Sequence, residues 1–455
     1  MALAGLPVAA AALAFNRKWM RYALMCMIIP ALFFDQSAIN FCSRELYRGT
    51  SRGMEISIIY IAAAAVLAAV CVHRGMRSPA PTPGAVLYLL YFCCTLPSVA
   101  NAENRLFCFF EAWKMVMLYL VFLAAFYYLK DTLDFDAVMY ALAVVVFVNF
   151  LVVVKQHFTG IHQAHGVFPH QNSMAMYLMA AGNLMFARFF NREEPQKSVF
   201  FLFAFICATG ALFRTYSRGA MICYPLSLVL TASVSMFFSF RTRMIRLCLL
   251  LAAIGFAGLL LFLPKIVDRF ENAPESSGSM RKNFAIAALN MIRDKPLAGV
   301  GLNNWGIKIN PPYEYSEHRD PERGFTEDYK DGIVETIYLL TAAECGIPCL
   351  LLLLAWLGYY WFVAFRLLKF LRGSPYFFLS AGLLGGLSGL YLQSLLEWVL
   401  RQQINFSELM ILFAMLGVLN FYRRKIKQRY RTAPSYPPAF PRNVSAAGEA
   451  ARSFP

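Results

Sequence analysis

Apolar runs recur along this chain from residue 19 to residue 422, and they leave it few ways to fold. In lipid, every backbone polar group must find its partner inside the protein, so a run of about 20 apolar residues reads as a membrane-spanning helix. We read twelve such spans, at about 19–35, 56–72, 84–100, 107–129, 135–155, 172–190, 198–213, 217–240, 243–264, 334–365, 375–399 and 405–422. A length of 455 residues would otherwise suggest about three soluble domains. The 59% hydrophobic content and mean hydropathy of +0.52 set that expectation aside. The apolar stretch 2–15 is too short to span and has no positive region before it. It is read as interfacial, or as part of a bent first helix, rather than as a cleaved leader.

The expected fold is therefore an all-α integral membrane protein of about twelve transmembrane helices. Residues 1–18 form the N-terminal segment, 19–264 carry the first nine spans and 265–333 form one long polar loop. Residues 334–422 carry the last three spans, and 423–455 form a basic tail rich in Pro, Ala and Ser that is expected to be disordered.

Basic residues set the expected orientation. The stretch Arg423-Arg-Lys-Ile-Lys-Gln-Arg-Tyr-Arg431 places the C-terminus on the cytoplasmic side. Alternate connections then carry Arg17, Lys18, Arg21, Arg74, Arg77, Lys130, Arg188, Arg192, Lys197, Arg241, Arg243, Arg246, Arg366, Lys369 and Arg372 on that same side. The short outer connections hold fewer. Both termini are expected inside, and the long loop outside. The net charge of +16 is largely this inner-face bias, and no soluble basic domain is present to bind nucleic acid. The 11 cysteines lie almost entirely in apolar spans and show neither disulfide nor zinc spacing.

Three sets of unusual residues then fall on the outer face. The first is His165-Gly-Val-Phe-Pro-His-Gln-Asn172, in a connection holding four of the six histidines. A zinc pair wants helical spacing and a nearby carboxylate. Gly160, Gly166 and Pro169 oppose a helix there, and the segment has no Asp or Glu. A re-entrant turn with Asn172 capping the sixth span, or contact of His165 and His170 with an anionic headgroup, are the other readings.

The second set is Arg214 and Arg218. Arg218 opens an apolar helix and is read either as a snorkelling anchor or as a fork for phosphate at a helix N-terminus. Arg214, four residues earlier, could face the same diphosphate. The third set lies in the long loop. Met280 to Arg293 has helical periodicity and ends at Asp294-Lys-Pro296. Arg281 is expected in its first turn, where a cation sits poorly against the dipole. Gly299-Val-Gly-Leu-Asn-Asn-Trp305 follows as a tight turn, and Trp305 is read either as a sugar-stacking ring or as a buried anchor. Intramembrane charges at Glu111, Lys114, Glu344 and Glu397 stand out because such charges are costly and often functional. For Glu111 and Lys114, three residues apart, the plain reading is mutual neutralisation.

Taken in order, these residues resemble the O-antigen ligase and O-antigen polymerase superfamily. The resemblance runs through His165-Gly-Val-Phe-Pro-His-Gln-Asn172 with Ala175, then Thr215-Tyr-Ser-Arg-Gly-Ala220. It continues through Arg281, Asp294-Lys-Pro-Leu-Ala-Gly-Val-Gly301 and Trp305, and ends at Tyr338-Leu-Leu and Glu344-Cys-Gly-Ile347. It implies a GT-C-like glycosyltransferase of the bacterial inner membrane. Such an enzyme moves a glycan from undecaprenyl diphosphate to an acceptor hydroxyl on the periplasmic face. The acceptor is lipid A-core for a ligase and a lipid-linked repeat unit for a polymerase, with no metal or other cofactor expected. Arg218 matches the family arginine thought to bind diphosphate, and Arg281 matches the arginine opening the loop helix. Ligases carry His-Asn before the Tyr-Leu pair, where this chain has Glu335-Thr336.

The expected roles combine that resemblance with the residues themselves, since Arg214 and His318 match no family motif. Arg218 and Arg281, with Arg214, hold the diphosphate. Glu335 takes the acceptor proton, with His318 as a weaker substitute. His165, His170 and Asn172 shape the cavity, and Trp305 contacts sugar. The competing classes are a flippase for lipid-linked sugars, which would string charge along a central path, and an inactive relative.

Overall fold

The computed structural model describes residues 2–30, 38–43, 47, 49–72, 82–130, 132–190, 195–238, 245–246, 275–310, 313, 315, 332–372, 374 and 376–432. The expected ninth span at 243–264 lies outside the described residues except for 245–246, and His318 and the tail beyond 432 lie outside them altogether.

The first apolar stretch is a bent pair of helices, α1 (Ala2–Phe15) and α2 (Arg17–Ile28). Asn16 makes the bend, because its side chain accepts from the Lys18 N–H and so caps α2. A small departure from an all-α chain follows. Strands β1 (Ile39–Phe41) and β2 (Met54–Ile56) pair antiparallel, with Asn40 opposite Glu55. Next come α3 (Ile58–Val72), α4 (Ala85–Thr95), α5 (Arg105–Tyr128), α6 (Thr132–Phe158), α7 (Gln171–Phe189), α8 (Pro195–Phe213) and α9 (Arg218–Phe238). The long loop contributes α10 (Glu275–Asp294) and the single turn α11 (Trp305–Lys308). The last segments are α12 (Ile337–Cys345), α13 (Ile347–Phe370), α14 (Tyr376–Gln393) and α15 (Gln403–Thr432).

Among the described residues, six helices are long and apolar enough to cross a membrane: α5, α6, α8, α9, α13 and α15. The chain is a multi-pass membrane protein, with α7 and α15 at its centre. Every residue of α7 from Ser173 to Arg188 is buried. A helix hidden from lipid can carry polar residues if neighbours satisfy them. Asn183 of α7 does so, donating to Met179 O and to Ser227 Oγ of α9 while accepting from Thr231 Oγ1. α14 packs between α7 and α9 along Gly382, Gly385, Gly386 and Gly389. A Cβ on Gly385 would overlap the Thr231 hydroxyl, so the missing side chain is what lets the three backbones close up.

The structure corrects two expected spans. The tenth, 334–365, is two helices, broken at Gly346, whose φ is +88°. A Cβ there would strike the Leu297 carbonyl, so the long loop is packed against the break. The eleventh ends at Gln393 rather than 399. Residues 394–402 leave the helix and close with a 3₁₀ turn at Val399–Arg401. α15 also runs on to Thr432, past the expected start of the tail at 423.

The ends of the bundle differ. At one end Arg17 and Arg21 pair with Asp134, and Arg188 and Lys197 pair with Asp136. Asp134 and Asp136 open α6, so the far end of α6, at Phe158, and the loop 159–170 lie at the other end, about 40 Å away by helix rise.

Candidate functional site

The glycine turn that stands out in the sequence is a clamp. Gly299 (φ +67°), Gly301 (φ +123°) and Asn303 (φ +55°) take left-handed conformations. Their geometry lets Val300 N and Gly301 N donate to Ala343 O and Glu344 O at 2.9 and 3.0 Å, while Gly299 N donates to Lys295 O. These N–H groups thus satisfy the C-terminal carbonyls of α12 and the end of α10, and none of the three faces outward for phosphate. Trp305 is buried, its indole N–H donates to Gly332 O at 3.1 Å, and its ring meets Phe284 edge-on. That geometry is the anchor reading, because no ring face is left for a sugar. The clamp fixes α10 and the strand of chain at 332–336 relative to each other.

Two charged side chains meet on that frame. Arg281 of α10 makes an ion pair through Nε with Glu335, and through Nη2 with Glu397 at 3.2 Å. Asn172, near the start of α7, donates its amide to the same Glu397 Oε1 at 2.6 Å. Arg218, at the start of α9, lies close enough to Glu335 to stabilise its charge. Five segments separated by up to 225 residues therefore converge at one end of the bundle. Arg281 and Glu335 remain about one-third exposed, whereas Glu397 is 5% exposed.

Burial governs the protonation of the two carboxyls. Desolvation raises Glu335 above the ordinary carboxylate range, opposed by Arg281 and Arg218. Glu397, in the connection after α14, is pushed up to about 8. Burial is the main cause and the neighbouring Glu335 adds to it, while Arg281 and Asn172 oppose both. Two carboxyls on one guanidinium cannot both ionise freely. Burial and the neighbouring Glu335 thus favour the protonated form of Glu397.

Not every expected residue joins this cluster. Asn172 does not cap α7. His170 does, accepting from Asn172 N through Nδ1, which leaves the Asn172 amide free for Glu397. Arg281 is not in a first turn, because α10 begins at Glu275, so the dipole misfit is absent. His165 is held by Phe168 O through Nδ1 at 2.8 Å and by Gln156, and it shapes the loop. Arg214 makes its contacts with His157 and Tyr216, away from the Arg281 pairings. Among the described residues, no three His, Cys, Asp or Glu side chains group as a metal site. Sequence reasoning flagged Glu397 only as an intramembrane charge and missed its place here, since the signal is tertiary.

A second charged cluster is fully enclosed. Arg401 meets Glu344 at 2.7 Å and Glu111 at 3.2 Å, and Lys114 meets Glu111 at 2.7 Å. Thr50 and Ser51, between β1 and β2, donate hydroxyls to Glu111. Asn303 in turn accepts from the Thr50 N–H and donates to Ser51 O and Phe107 O. Two cations and two carboxylates balance, so Glu111 and Lys114 neutralise each other only as part of a four-residue set.

Residues 203–354 match the family model described as O-antigen ligase. The match supports assignment of this chain to the O-antigen ligase and polymerase superfamily, whose members are glycosyltransferase-like enzymes. It contains Arg218, Arg281 and Glu335, and leaves Asn172 and Glu397 outside it. No curated protein matches the chain.

Proposed function

We propose that this chain transfers a glycan from undecaprenyl diphosphate to an acceptor hydroxyl at the periplasmic face of the inner membrane, by a single inverting displacement that uses no metal. The observation that carries the proposal is the bridging of Glu335 and Glu397 by Arg281, beside Arg218. Without donor, Arg281 is held by Glu335. An arriving diphosphate, with Arg218 as its second partner, competes for that guanidinium. Glu335 is released as the diphosphate binds, and the released carboxylate becomes the general base. The acceptor O–H attacks the anomeric carbon and gives its proton to Glu335. The bond from that carbon to the diphosphate oxygen breaks, and the electron pair leaves with undecaprenyl diphosphate. Arg218 and Arg281 stabilise that leaving charge. Protonated Glu397 avoids adding a second negative charge beside the phosphates, and Asn172 holds it in place. His165 and His170 shape the loop around Asn172.

The acceptor is a lipid A-core hydroxyl for a ligase and the next lipid-linked repeat for a polymerase. The glycan profile of a deletion strain, complemented with wild type or with Glu335→Gln, tests both. Long chains accumulating on the lipid carrier, with no glycan attached to the surface acceptor, indicate a ligase. Single repeat units on the acceptor, with long glycan lost, indicate a polymerase. An unchanged profile rejects transfer altogether.

A further inference from the structure

Arg214 stands apart from the cluster just described. It follows the end of α8, and its carbonyl accepts from Ala164 N at 3.1 Å, which ties the α8–α9 turn to the loop between α6 and α7. Its Nη1 donates to the Tyr216 hydroxyl at 3.0 Å, and its Nη2 lies 2.7 Å from His157 Nδ1. Its Nε–H has no hydrogen-bond partner among the described residues. The guanidinium can only donate, so His157 Nδ1 is the acceptor in that contact. Neither of its two partners carries negative charge. Residues 155–172 and 210–220 contain no Asp or Glu at all. Among the described residues, Arg214 is therefore one full positive charge without a counter-anion, with an unused donor next to Nη2.

The surroundings add shape to that charge. Tyr216 takes a left-handed φ of +49°, a conformation that a bulky residue adopts only when its neighbours impose it. In that pose its ring lies under the Arg214 guanidinium at 5.3 Å and stacks on the His162 ring at 5.1 Å, 20° from parallel. His162 and His157 are exposed. A flat ring stack beside a lone guanidinium suits a pyranose ring bearing an acid group. The sugar ring packs on His162, the exposed member of the stack, and the anion takes the fork. One cation balances one anion, which favours a carboxylate over a phosphate dianion.

We propose that Arg214, with His162 and Tyr216 as its wall, is a subsite for the carboxylate of an acidic sugar in the glycan this protein handles. The carboxylate occupies the Nε and Nη2 edge, and His157 holds that edge until the sugar arrives. The subsite rests on the glycan-transfer reading for its biological substrate, but it requires no catalysis to be observed.

The test is binding to full-length protein purified in detergent. The probes are a tetragalacturonate and its full methyl ester, which keeps the rings and removes the charges. Wild type is expected to prefer the acid form by about tenfold, the size of one charge-assisted pair. Arg214→Gln should lose that preference and still bind the ester as wild type does, while His162→Ala should weaken both forms alike. A monodisperse elution profile excludes misfolding of the variants. Equal affinity of wild type for the two probes, or a preference that survives Arg214→Gln, overturns the proposal. So does loss of phosphatidylglycerol binding in Arg214→Gln without any acid preference, which would assign the charge to a lipid headgroup. A protein that binds the acid form but transfers no glycan would retain this subsite and lose the transfer reading instead.

Discussion

Two clusters in this molecule use the same chemistry, two carboxyls with two cations, and reach opposite ends. Around Arg401, all four groups are buried, and Thr50, Ser51 and Asn303 complete the network. Around Arg281, the guanidinium and Glu335 stay partly open, and burial pushes Glu397 toward its protonated form. A closed network welds the hairpin, α5, α12 and the 3₁₀ turn together, and leaves no valence for a ligand. An open one keeps charge that a substrate can take over. What separates them is completeness of pairing, since both contain buried acids and both sit near chain reversals.

Breaking the closed cluster should have the largest effect. Arg401→Ala leaves Glu344 and Glu111 short of a counter-ion in the interior, at a cost of about 3–5 kcal/mol. The expected outcome is protein that fails to accumulate in the membrane, read by immunoblot of membrane fractions. Glu335→Gln attacks the open cluster. Transfer should fall by about 100-fold or more with membrane abundance unchanged, and an equal loss of abundance would make this cluster structural too. The third contrast is pH. Glu335 must be ionised to act as a base, so turnover rises as pH climbs through its raised pKa. Glu397 is neutral below about 8, and above that its charge retains Arg281 and repels diphosphate, so donor affinity falls. That fall should be about tenfold per pH unit above 8. In Glu397→Gln the alkaline limb should vanish while the acid limb stays. The smallest effect belongs to Ser51→Ala. It removes one of two hydroxyls on Glu111 Oε2, should cost about 1 kcal/mol of thermal stability and should leave turnover unaltered.

Much of the fold is legible in the order of residues. Helices α5, α6, α8 and α9 fall within a few residues of their expected spans, because hydropathy is a local property that the bilayer reads directly. The expected break at Asp294-Lys-Pro296 is also where α10 ends. The breaks at Gly346 and after Gln393 were not legible. Both lie in stretches apolar enough to continue a helix. A contact with Leu297 at the first, and pairing of Glu397 with Arg281 and of Arg401 with Glu344 at the second, come from elsewhere in the chain. Asn172 was legible as a helix-start residue, but the cap fell to His170 because both offer an acceptor at the same turn.

The sequence by itself determined that this chain lives in a membrane. It also placed several of the long apolar helices, since each follows from composition over a single helix length. Only the tertiary structure decided which charges are spent on one another and which remain open. Arg281 and Glu397 are 116 residues apart, and Arg401 and Glu111 are 290 apart. Ion pairing depends on separations of a few ångströms and on the loss of water around them, and neither quantity exists until distant helices have packed.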